Sequence, residues 1–223
     1  MSALAPRHRL VADVLEAGAS YPLVLAGGHA VRAHGLGGNP GTGLGFATES
    51  PEGMDGVVAL VGAGLVGRGW RVRVGETAPL AARITAVDPV TGGAYEVHVR
   101  KEALWRPPVR TEYGLALSLE DAVGTRVRAL ADRGLARDLV DVRAAADRWS
   151  RVELEELGRR HARDAFDLTD LYARLGGAEW IDDGEFTSCG LDARAVDDLR
   201  RWAQEWADDI AERLQELAAP EDA

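Results

Sequence analysis

Apolar and polar positions change rhythm along the chain. Helical spacing over Arg9 to Glu16 gives way to YPLVLAGG, Tyr21 to Gly28, an apolar run closed by two glycines. Such a run predicts a buried strand entering a tight turn. HAVRAHG, His29 to Gly35, then predicts a short helix with Gly35 as its stop. The turn-rich Gly35 to Gly43 leads into GTGLGFATE, Gly41 to Glu49. Alternation there puts Leu44 and Phe46 on one face and Gly43 and Gly45 on the other, so one face is apolar and the other has no side chains. A helix is expected from about Met54 to Arg68 and a strand over Trp70 to Glu76. Two more strands, Ala82 to Arg100, flank the turn DPVTGG. In YEVHVR the outward face carries Glu96, His98 and Arg100, while Tyr95, Val97 and Val99 face the core. GAGLVGRG, Gly62 to Gly69, lacks the lysine of a phosphate loop and reads as a helix ending.

After Pro107-Pro108 the pattern is helical. SLEDAVGTRVRAL, Ser118 to Leu130, opens with Ser118 suited to an N-cap and acids in the first turn. Leu135 to Asp147, Val152 to His161, Leu168 to Leu175 and Ala193 to Leu217 follow as helices, and the terminal PEDA is expected to fray. The fold class implied is α/β of the α+β kind. A small mixed sheet with helices spans 1–107, a helical domain spans 108–223, the loop Trp105 to Gly114 links them, and a cleft lies between.

Charge changes this picture more than composition does. With 36 acidic against 26 Lys and Arg residues the net charge is -10, which argues against nucleic acid as a partner. The Arg159, Arg160, His161, Arg163 cluster reads as a solvated helix face. No apolar run is long enough to cross a membrane and there is no signal-type start, so a cytoplasmic protein is expected. A single cysteine, Cys189, excludes an internal disulfide and a cysteine-based metal cluster. The five histidines form no compact ligand motif; His29 and His34, five apart, fall on different helix faces. Trp202 and Trp206, four apart, read as core packing.

Five segments taken in order carry a resemblance: LAGGHAVRAHG, the Gly- and Pro-containing loop, LGFATE, EVHVRKE and LSLEDAVGTRVRALADRGLARDLVDV. From about Tyr21 to Asp167 the chain resembles nucleotidyltransferase-like proteins of the AbiEii toxin family. The resemblance implies a DNA polymerase beta-like nucleotidyltransferase fold and transfer of a nucleotidyl group from a nucleoside triphosphate. It also implies an Asp-x-Asp pair before the FAT-like residues and a third acid on a neighbouring strand, which hold divalent cations. Here those places are Gly43, Gly45 and His98. Three carboxylates contribute about -3, whereas two glycines and a histidine contribute between zero and about +1.

A lysine that the family commonly uses for nucleotide phosphates is Arg126 here. Arg137, Asp138 and Asp141 are kept, as are Gly27 and Gly28, whose amides suit an anion. His98 on an open face suits general acid or base work, with His29 a second candidate and Glu49 and Tyr95 weaker ones. For the glycines two readings stand: drift or deliberate inactivation once acids are not needed, or room made for a bulkier ligand. No metal or cofactor is expected. The leading expectation is a chain without two-metal nucleotidyl transfer, its cleft taken over for metal-independent chemistry on an anionic small molecule, for instance in specialised metabolism. Glu96, Arg100, Arg126, Arg137, Asp138 and the four glycines would contact that ligand. The alternatives are a catalytically silent ligand- or partner-binding module and a toxin-like transferase acting on RNA.

Overall fold

The computed structural model describes residues 4–37, 41 and 43–218, which divide into two compact units. The first comprises the described residues up to Gly35 and from 41 to Ala122. The second comprises those from Val123 onward, with Leu36 and Gly37. Residues 38–40 and 42 of the turn-rich stretch before Gly43, and the terminal PEDA, lie outside the described residues.

In the first unit α1 (Leu4–Ala17) precedes β1 (Val24–Ala26), α2 (Gly27–Ala33), β2 (Leu44–Thr48), α3 (Met54–Gly67), β3 (Arg71–Ala78), β4 (Ala81–Val87) and β5 (Ala94–Lys101). β6 (Val109–Thr111) and β7 (Gly114–Ala116) complete a seven-stranded sheet in the order β3-β4-β5-β2-β1-β7-β6. It is mixed, as expected: β2 runs parallel to β5 and β1 parallel to β7, and the other neighbours are antiparallel. Leu10 and Val14 of α1 and Val57, Val61 and Leu65 of α3 cover one face, closing over Leu25, Leu44, Phe46, Ile84, Val97 and Val99. Each side chain so buried contributes about 1.5–3 kcal/mol relative to exposure.

Two expectations are corrected. The loop Trp105 to Gly114 is not a linker, because most of it forms the β6–β7 hairpin. β7 is held to β1 by the Leu25–Ala116 pair and by the Leu117 N–H donating to Leu25 O at 2.9 Å. Pro107 and Pro108 end just before the edge strand β6, where a missing N–H costs little. The compact units consequently meet after Ala122, not after residue 107. α3 ends at Gly67 and Gly69 follows with φ of 89°, so the glycine-rich segment is a helix ending.

That boundary falls inside α4 (Leu119–Arg133). Ser118 caps this helix, its Oγ accepting from Asp121 N–H at 3.1 Å. The Asp121 carboxylate accepts from the Trp105 and Arg106 N–H groups at 3.3 and 3.0 Å. The second unit continues with α5 (Ala136–Arg143), α6 (Arg151–Arg160), α7 (Leu168–Gly176), α8 (Asp183–Ser188) and α9 (Ala193–Ala218). Trp206 is fully buried in its core and donates Nε1–H to the buried Glu155 at 2.9 Å; Arg213 grips the same carboxylate. No described helix is long and apolar enough to cross a membrane.

Candidate functional site

The parallel register of β2 and β5 sets Gly45 opposite His98, between the pairs Leu44–Val97 and Phe46–Val99. Those four apolar side chains are buried, so Gly45 and His98 lie on the other face, with exposed Glu96 and Arg100 to either side. A Cβ on Gly43 would stand 3.3 Å from both Cδ2 and Nε2 of His98, so the imidazole lies over Gly43. A Cβ on Gly45 would stand 3.1 Å from the carbonyl oxygen of Ala26 and 3.6 Å from the nitrogen of Gly27. The room that two missing side chains were expected to leave is taken by the His98 ring and by the β1–α2 turn. That turn needs Gly27, whose φ is 68°.

The His98 side chain is 38% exposed, and its Nε2 stands 3.5 Å from Oε2 of Glu96. Partial burial lowers the imidazole pKa below its ordinary 6.5; Glu96 opposes that, while Arg100 and Arg83 add to it. The ring is therefore neutral near pH 7, fit to accept a proton. Arg83 is directly paired with His98 across β4 and β5. Sequence reading missed it, although its signal was present: in ARIT the buried neighbours Ala82 and Ile84 force Arg83 outward.

Other expected residues have surroundings of their own. His29 is half-buried on α2, and Tyr95 packs on the core and on Trp70. Glu49 accepts from Leu104 N–H at 2.8 Å, which fixes the chain after β5. His34 is engaged with Leu117 O at 2.8 Å, and His8 packs edge-on against Tyr113. In the second unit Asp138 is fully buried under two guanidiniums, accepting from Arg126 Nη1 at 2.8 Å and from Arg133 Nε and Nη2 at 2.8 Å. Arg126 Nε also stands 3.5 Å from Asp141 Oδ2. Desolvation nevertheless wins over that attraction and pushes the Asp141 carboxyl up to about 6. Arg137 is exposed.

No three His, Cys, Asp or Glu side chains among the described residues form a group able to hold a metal ion. The hard divalent cation of nucleotidyl transfer needs anionic oxygen ligands. Gly43, Gly45 and His98 supply no carboxylate, so these residues do not fit it.

The mixed sheet with helices on one face and a helical unit after it defines the class as a nucleotidyltransferase fold. Solved structures share it. MenT4, a nucleotidyltransferase toxin from Mycobacterium tuberculosis, superposes with a TM-score of 0.59 at 17% identity, over 96% of this chain and 91% of that one. JHP933 from Helicobacter pylori gives 0.53 at 17% identity over 100% of both chains. The sequence profile of the family "Nucleotidyl transferase AbiEii toxin, Type IV TA system" matches residues 43–222. The chain belongs to the AbiEii family. No curated protein matches it in sequence.

Proposed function

We propose that this AbiEii-family chain has lost two-metal nucleotidyl transfer and that the sheet face around His98 performs metal-independent chemistry on an anionic small molecule. One observation carries the reading. Gly43, Gly45 and His98, where the resemblance implies the metal-binding acids, come together: Gly45 pairs with His98 across β2 and β5, and the His98 ring lies over Gly43. A cation there would meet an imidazole and backbone, in a setting that two arginines make more positive. The neutral His98 ring takes up a proton from a substrate hydroxyl or amine and returns it later, with Glu96 favouring the protonated form between the two events.

The test is incorporation of labelled nucleotide into RNA, with each of the four nucleoside triphosphates, in Mg2+ and in EDTA. No Mg2+-dependent incorporation by folded protein is expected, and its detection would overturn the reading in favour of a toxin-like transferase. Metal-free product that disappears in His98→Ala supports the acid-base role. Ligand binding without product in any condition would leave a binding module in place of an enzyme.

A further inference from the structure

The face that carries His98 holds more positive charge than the family's site would tolerate. Arg83 is paired with His98. Arg73 is paired with Thr85, two residues along β4 from Arg83 and on the same side. Arg100 lies two residues along β5 from His98, and all three arginines are exposed. Diagonal neighbours on one face of a sheet are about 7–8 Å apart, well within reach of arginine side chains. Ile84, Ala86, Val97 and Val99, the alternating partners, are buried, which fixes the arginines outward. Among the described residues Arg73 and Arg83 form no ion pair, in a protein with ten more acids than cationic residues. Glu96 stands in this group at 3.5 Å from His98. Arg73 and Arg83 against Glu96 already leave a local charge of about +1 where three acids would leave about -3.

We propose that Arg73, Arg83 and Arg100 form a binding site for a diphosphate or longer phosphate chain, held directly and without a divalent cation, so that its end lies against His98. The inference rests on the reading above and names its ligand class. A phosphate chain fits better than a single carboxylate. Three fixed cations spread over three strands match an anion of two to three charges extended over several ångströms, and each guanidinium offers a planar fork to phosphate oxygens. In the family's reaction metal ions neutralise the triphosphate; on this face arginines would perform the same neutralisation.

Titration calorimetry with inorganic pyrophosphate and with ADP, each in EDTA, tests the site on the full chain. Binding in EDTA is expected, weakened roughly tenfold or more in Arg83→Gln and in Arg73→Gln. Arg110→Gln, at the opposite edge of the sheet, should leave it unchanged. The His98 imidazole resonances should shift with added pyrophosphate. Tighter binding of ADP than of pyrophosphate assigns the chain to a nucleotide, and tighter binding of pyrophosphate assigns it to a bare phosphate chain; either supports the site. Equal loss in all three variants would reduce the effect to overall charge and overturn it. So would stationary His98 resonances, or Arg83-dependent binding of folded RNA without pyrophosphate binding. Absence of binding in both EDTA and Mg2+ would overturn the anion site alone. Loss of nucleotidyl transfer would stand, because only Mg2+-dependent incorporation removes that.

Discussion

Asp141→Asn should make the protein more stable at pH 8 and progressively lose that advantage as the pH falls. The carboxyl is nearly fully buried, and desolvation lifts it from 3.8 to about 6; Arg126 opposes the shift and the buried Asp138 reinforces it. A group whose folded pKa lies above its unfolded one contributes stability that is fully present below about 3.8 and is lost as the pH rises through about 6. At about 1.4 kcal/mol per pH unit the full cost of ionising Asp141 in the folded state is about 3 kcal/mol. About half of it falls between pH 5 and pH 8. Asparagine keeps the shape of the neutral acid and cannot ionise, and Arg126 keeps Asp138 as its partner at 2.8 Å. Urea unfolding of parent and variant at pH 5 and pH 8 measures the difference. His98 contributes a pH dependence of the opposite sign. Its lowered pKa gives stability present above about 6.5 and lost as the pH falls, but this is common to both proteins and cancels. A variant less stable than its parent by the same amount at both pH values would refute the reasoning and show that the Arg126–Asp141 pair is net stabilising when ionised.

Other outcomes follow from the same structure. Gly45→Ala brings a Cβ to 3.1 Å from a backbone oxygen and should cost about 1–3 kcal/mol, read as a lower urea midpoint. Gly62→Ala, inside α3 with its nearest neighbour at 3.8 Å, should stabilise by about 0.5–1 kcal/mol, read as a higher urea midpoint. Ser118→Ala removes the α4 cap and should cost about 1 kcal/mol, seen as a lower Tm. Glu155→Ala leaves the buried Trp206 Nε1–H without its acceptor, while Arg213 keeps Asp209 at 2.8 Å, and should cost about 1–3 kcal/mol by the same measurement.

Local chemistry was legible in the chain itself. The alternation of YEVHVR set Glu96, His98 and Arg100 outward and Val97 and Val99 inward; SLED announced its own cap; Gly62 to Gly69 read as a helix ending. Each depends on residues within a few positions of one another, where periodicity and turn chemistry act. The β6–β7 hairpin escaped because its strands are three residues long and are held by pairing with β1, some 90 positions earlier. Short α8 escaped for a similar reason, since six residues carry too little periodicity.

The sequence by itself determined that glycine, glycine and histidine stand at positions 43, 45 and 98, where the resemblance implies acids, because identity at a position needs no fold to be read. Only the tertiary structure decided what fills the space. Strand pairing over long separations brings the His98 ring over Gly43, the Ala26 carbonyl against Gly45, and Arg83 beside His98. It also buries Asp138 between Arg133 and Arg126, the latter a residue that sequence alone would offer to a ligand. Backbone hydrogen bonds between distant strands and the desolvation of buried charge are properties of packing, and no local pattern encodes them.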